Sequence, residues 1–198
     1  MHPPSAAVAI LAALLLAPAA GAVRTSTFAP ALTGDPAGLQ LARQVNRSYA
    51  NVPAVRVEVS AAGGLVGRFT FLLRNGVTVA EQALVNEGGA QPTLLVRREN
   101  AGTFVRDPDR ACWRFVPSGD PQALTDVGQP VFAADGRVSK PRVAGDAISM
   151  TLTAQGRTLR VVVDRKTSRL RRLEAPGYSA RFTSLAKLPT LPAPRPRC

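Results

Sequence analysis

The sequence predicts an α+β domain: a single large antiparallel sheet that curls, with one N-terminal helix and a second short helix. Three observations predict it. Only one early stretch, Pro36 to Tyr49, carries helical periodicity. From Val55 onward the apolar period becomes two. Turn residues then punctuate that alternation at short intervals, as in a meander, and about seven to nine strands in one sheet should curl rather than stay flat.

The first element lies ahead of the domain. Ala6 to Leu16 form a short apolar run, followed by Pro18 and the small-x-small sequence Ala20-Gly21-Ala22. This reads as a secretory signal cleaved after Ala22, leaving a domain at 23–187 and a Pro-rich tail at 188–198. The alternative is a retained membrane anchor, for which the run is short against the roughly 20 apolar residues of a span. No cysteine follows the small residues, so a lipobox is unsupported.

After a loop, Asp35-Pro36 supplies an N-cap with proline at the first helical position, and Leu41, Val45 and Tyr49 follow at i, i+4, i+8. Val55, Val57 and Val59 then alternate with Arg56, Glu58 and Ser60. Phe69, Phe71 and Leu73 alternate with Arg68, Thr70, Leu72 and Arg74. Asn75-Gly76 joins that strand to Val77–Leu84, a strong hairpin signal. Further strands are expected at Thr93–Arg98, Thr103–Asp107, Cys112–Val116, Ala147–Ala154, Thr158–Asp164, Leu170–Glu174 and Tyr178–Thr183. Asp107-Pro108-Asp109, Gln155-Gly156 and Lys166-Thr167-Ser168 carry turn chemistry between them. Asp120 to Thr125 looks like the short capped helix, and Gly128 to Val143 reads as a loop.

Composition narrows the function. The 198 residues fit one ordinary domain, and 45% hydrophobic residues suffice for a core. The only histidine is His2, inside the expected signal, which argues against Ser-His-Asp and Cys-His catalysis and His-ligated zinc. Ser184-Leu185-Ala186-Lys187 matches S-x-x-K, but its S-D-N and K-T-G companions are absent, so the match is read as accidental. Glu58, Asp107 and Asp164 are carboxylates for which acid–base pairing is weighed; Asp107 beside Pro108 is better read as a turn residue. Gly63-Gly64-Leu65-Val66-Gly67 fits no phosphate-loop pattern. The expectation is a chain with no catalytic site, no cofactor and no metal.

Charge is unevenly placed. Of the net +12, residues 137–198 supply +11, from 14 basic and 3 acidic residues. Such asymmetry suggests a surface for anionic headgroups or wall polymers rather than nucleic acid, against an Arg-rich composition as the bland alternative. In an exported chain the two cysteines, Cys112 and Cys198, are candidates for one disulfide, closed by the extended tail; a reactive or intermolecular thiol is the alternative. Strand alternation would set Trp113 and Phe115 on one face and Cys112 with Arg114 on the other.

The order of features resembles the periplasmic lipoprotein-carrier (LolA-like) family, with the related mycobacterial lipoglycan carriers and sigma-regulator sensor domains. The residues that carry it are Tyr49-Ala50-Asn51-Val52 leading straight into Val55–Ser60, the strand pair Thr103-Phe104-Val105-Arg106 and Trp113-Arg114-Phe115, and the turn Val163-Asp164-Arg165-Lys166-Thr167-Ser168-Arg169-Leu170, similar to the family's D-x-x-T. The resemblance spans about residues 36–184. It implies a half-open barrel with helices over its mouth, binding acyl chains and handing lipidated cargo between membranes.

The expected function is therefore a secreted or periplasmic, non-enzymatic, monomeric binder or carrier of a lipid or lipidated protein. Leu41, Val45, Tyr49, Phe69, Phe71, Phe104, Trp113, Phe115, Met150 and Leu152 are the candidate apolar lining, with Ile148 beside them. Arg157, Arg160, Arg165, Lys166, Arg169, Arg171 and Arg172 are the candidates for an anionic headgroup or partner. The competing expectation is an extracytoplasmic sensor or protein-interaction domain with a dry core and a basic partner-binding face.

Overall fold

A computed structural model describes residues 32–61, 64–75, 77–85, 93–98, 102–107, 109–116, 136–154 and 156–198. Among them are one helix and thirteen strands in a single open sheet. The chain starts with β1 (Leu32–Gly34) and α1 (Pro36–Ser48), then runs through β2 (Ala54–Ala61), β3 (Gly64–Arg74), β4 (Val77–Val85), β5 (Thr93–Arg98), β6 (Gly102–Arg106) and β7 (Arg114–Val116). It continues with β8 (Gly136–Val138), β9 (Arg142–Ala144), β10 (Ala147–Ala154), β11 (Arg157–Asp164), β12 (Leu170–Ala175) and β13 (Tyr178–Leu185).

The strand order is β1-β8-β10-β11-β12-β13-β2-β3-β4-β5-β6-β7, with β9 alongside β10. Two meanders are thus joined where the late strand β13 pairs with the early strand β2, in unbroken register from Tyr178 opposite Ala61 to Leu185 opposite Ala54. All pairings are antiparallel except β1 with β8, so the sheet is mixed at that edge. Register shifts near Val59, Leu72 and Val162 bend the strands they interrupt.

The helix forms where its caps place it. Asp35 accepts hydrogen bonds from the amides of Ala37 (3.0 Å) and Gly38 (3.3 Å), satisfying two orphan donors of the first turn. Leu41, Ala42 and Val45 are buried, on the stripe that faces the sheet. At the C-terminal end the Tyr49 hydroxyl accepts from the Leu170 amide at 3.1 Å, tying the helix to β12. Gly38 lets it approach closely: a Cβ there would meet the Ser139 carbonyl oxygen at 2.5 Å.

The sequence and the structure differ in three places. Leu32–Gly34, read as loop, pairs with Gly136–Val138 as a parallel strand. The stretch read as loop from Gly128 contains β8 and the start of β9 over its described residues. Strand β7 begins at Arg114, and Trp113 is held by an isolated bridge to Arg197. The helix expected at Asp120–Thr125 and the signal expected at 1–22 lie outside the described residues.

Candidate functional site

The sheet has two faces, and the alternation of each strand assigns its side chains. One face, called the core face below, carries Val55, Val57 and Val59 of β2, Phe69 and Phe71 of β3, Val105 of β6, Met150 and Leu152 of β10, Leu159, Val161 and Val163 of β11, and Leu173 of β12. Leu41, Val45 and Tyr49 of α1 pack onto it, and Val45, Val161 and Val163 are wholly buried. Burial pushes the Tyr49 hydroxyl up to about pKa 12, so it stays protonated.

Seven of the ten candidate lining residues meet there: Leu41, Val45, Tyr49, Phe69, Phe71, Met150 and Leu152. Each is at most 9% exposed. Ile148 packs at the margin. Phe104 and Trp113 do not join them. They form a second cluster with Leu94 and Val96, with Leu84 against it. Register explains the separation: Val105 faces the core, so Phe104, its neighbour in β6, faces the opposite side with its partners Val96 and Phe115. Phe115 stays 53% exposed, its ring edge-on to Phe104 with centroids 5.4 Å apart.

The C-terminal tail reaches this second cluster. Cys112 and Cys198, 86 residues apart, form a disulfide. The Trp113 amide donates to the Pro196 carbonyl and the Cys198 amide to the Trp113 carbonyl, each at 2.9 Å. The Arg197 guanidinium lies 5.1 Å from the centre of the Phe104 ring, and Arg106 lies 5.5 Å from that of Trp113.

Charged residues gather on the outer face, opposite the core face. Across adjacent strands Arg160 pairs in register with Glu174, Val162 with Arg172, Arg172 with Arg181, Arg181 with Glu58, and Glu58 with Arg68. Glu174 accepts from Arg160 (3.2 Å) and Arg172 (3.1 Å), and Glu58 from Arg68 (3.0 Å). A cleft of about 470 Å³ opens here, lined by Arg160, Val162, Arg171, Arg172, Glu174, Arg181 and Phe182.

The remaining basic candidates are distributed. Arg171, the extra residue at the β11–β12 irregularity, reaches Asp146 at 2.8 Å and also Asp164. Asp164 organises the turn: its carboxylate accepts from the Thr167 amide (2.7 Å) and hydroxyl (2.9 Å), the D-x-x-T geometry expected from the sequence. Those bonds, with Arg171, hold its carboxyl down at about pKa 2, and Arg171 likewise lowers that of Asp146. Arg169 Nε donates to the Ser48 carbonyl at 3.4 Å, so this residue docks the end of α1. Arg157, Arg165 and Lys166 are exposed. Arg181, absent from the residues chosen by sequence, stands in the cleft; its charge is isolated in sequence on β13 and joins the others only through register.

The motifs weighed for catalysis are structural. Ser184 is a half-buried residue of β13 rather than the start of a helix. Glu58 is engaged by Arg68, and Asp107 sits in a turn with its carboxylate 4.0 Å from Arg110. Among the described residues no group of three or more His, Cys, Asp or Glu is placed to hold a metal ion, and no helix is long and apolar enough to cross a membrane.

An open curved sheet with one helix against its core face defines an α+β half-barrel. No protein-family model and no curated protein matches the chain. Among solved structures it is similar to MucB, described alone (TM-score 0.41, 15% identity) and in complex with MucA(peri) (TM-score 0.40, 16% identity). Those alignments cover 77% and 76% of this chain but only 60% and 55% of the MucB chains, so this chain spans under two thirds of their length. It is also similar to a LolA superfamily protein from Nitrosomonas europaea (TM-score 0.34, 11% identity, 78% of this chain and 96% of that one). The likeness concerns the fold alone.

Proposed function

We propose that this chain is an extracytoplasmic, non-enzymatic binding domain that engages an anionic partner surface through the outer face of β11, β12 and β13. The observation that carries the reading is the register-aligned row of arginines on that face, with two of them, Arg172 and Arg181, directly opposite one another. The disulfide supports an oxidising compartment. Packing supports placing the partner outside, because the seven candidate lining residues on the core face already bury one another.

A second reading has acyl chains enter between α1 and the sheet. One observation favours it: among the described residues α1 is the only helix, and it packs on that face.

Binding of the purified chain to phosphatidylglycerol vesicles, followed across ionic strength, tests the first reading. Affinity should fall steeply between about 50 and 500 mM salt, since exposed charges are screened within roughly 10 Å at 0.1 M. Affinity that is indifferent to salt, or no binding at the low-salt end, contradicts it.

A further inference from the structure

We infer that the cleft at Arg160, Arg172 and Arg181 is a discrete subsite for a dianionic phosphate group, a phosphomonoester or inorganic phosphate. The inference deepens the proposed function and rests on it for the sign of the ligand. It begins with a cost. Like charges directly opposite on neighbouring strands destabilise a sheet, and Arg172 and Arg181 are such a pair. Their neighbours do not cancel them. Glu174 is shared by Arg160 and Arg172, and Glu58, on the far side of Arg181, is bonded to Arg68. Four arginines against these two glutamates leave two positive charges over the row. Arg171, although it lines the cleft, is matched to Asp146 and Asp164 and belongs to the turn.

The surplus of two positive charges, spread over Arg160, Arg172 and Arg181 with the last two opposite one another in register, matches a ligand of charge near −2 with several acceptor oxygens. Guanidinium forks bind phosphate oxygens bidentately, which a single carboxylate between two arginines does not exhaust. A phosphomonoester carries about −1.5 to −2 at neutral pH, whereas a phosphodiester carries about −1. Val162 adds apolar contact at the cleft for the organic portion of an ester. The ligand chemistry has two sources, a lipid headgroup or a soluble phosphate.

The test compares the full chain with Arg181→Gln and, as a charge-matched change at an exposed residue of the same basic third, Lys140→Gln. Each is titrated with phosphatidylcholine vesicles containing phosphatidic acid, with vesicles of equal surface charge containing phosphatidylglycerol, and with inorganic phosphate alone; thermal melts verify folding. The expected result is that wild type prefers one dianionic probe over phosphatidylglycerol vesicles by about tenfold, and that Arg181→Gln removes this preference while Lys140→Gln changes it less than about twofold. Preference for phosphatidic acid undisturbed by inorganic phosphate assigns the site to a headgroup; binding of inorganic phosphate itself assigns it to a soluble ligand. Equal losses for the two variants, or no preference in wild type, overturn the subsite yet leave the basic-face reading standing. Failure to bind any anionic probe overturns both.

Discussion

The two apolar clusters lie on opposite faces of one sheet and are held by different means. On the core face, strand alternation and the stripe of α1 bring together side chains that are almost all below 9% exposure, most of them from elements adjacent in the sheet. On the outer face the smaller cluster of Leu94, Val96, Phe104 and Trp113 is joined from afar by a tail, through one disulfide, two backbone bonds and the Arg197–Phe104 contact. Burial sustains the first. Chain connectivity sustains the second, so the two should respond differently to the same insult.

The largest effect is expected on the core face. Val161→Asp would place a charge at a wholly buried position of β11 without a partner, costing more than about 4 kcal/mol, and the chain should fail to give a cooperative urea transition. Leu173→Ala, a milder cavity at a residue 3% exposed, should cost about 2 to 5 kcal/mol by the same measurement.

Reduction of the disulfide, or Cys198→Ser, sharpens the contrast. Opening a loop of this length should cost on the order of 4 kcal/mol in the chain-entropy model. The chain has a single tryptophan, Trp113, within the strapped cluster. Its fluorescence should therefore shift to the red on reduction while far-ultraviolet circular dichroism stays unchanged; simultaneous loss of both signals would mean that the two clusters are one cooperative unit.

Tyr49→Phe probes the join between α1 and β12. It leaves the buried Leu170 amide without its acceptor, which should cost about 1 to 3 kcal/mol in urea unfolding.

The smallest effect concerns acid. Because the folded state holds the Asp164 carboxyl at about pKa 2, below its unfolded value near 3.9, its contribution is complete above about pH 4 and is lost as pH falls toward 2. Melting temperature followed from pH 5 to about 2 should fall more for wild type than for Asp164→Asn, whose side chain does not titrate; parallel curves would remove Asp164 from the account.

Much of this contrast is legible in the sequence, and the remainder fails for identifiable reasons. The helix from Pro36, the hairpins and the Asp164 turn are local, since each depends on residues a few positions apart. The disulfide was readable because two cysteines permit only one intramolecular pairing. Strands β1, β8 and β9 are three residues each, too short to show alternation. Glycine geometry helps fix their place: Gly34 adopts φ 120°, and a Cβ there would meet the Val138 carbonyl oxygen at 2.1 Å.

The candidate site was half visible. Alternation identifies which residues of a strand share a face, but not which face of a neighbouring strand they join. Phe104 and Phe69 thus read as one inward set until the register from β3 through β6 separates them. Arg181 escaped for the same reason. Charge counted along the chain ends its cluster at Arg172, while charge counted across strands continues to β13.

Met150 offers the most direct test of the central claim that the core face is filled by the chain's own side chains and that the partner binds outside. It is 3% exposed at the heart of that face, and the sequence has only one other methionine, Met1. The chain, labelled with carbon-13 at its methionine methyls, is titrated with a doxyl-labelled stearate whose nitroxide sits deep in the acyl chain. The account predicts that the Met150 resonance keeps its intensity at saturating probe. Selective broadening of that resonance, in a chain that remains folded, would place an acyl chain inside the half-barrel and contradict it.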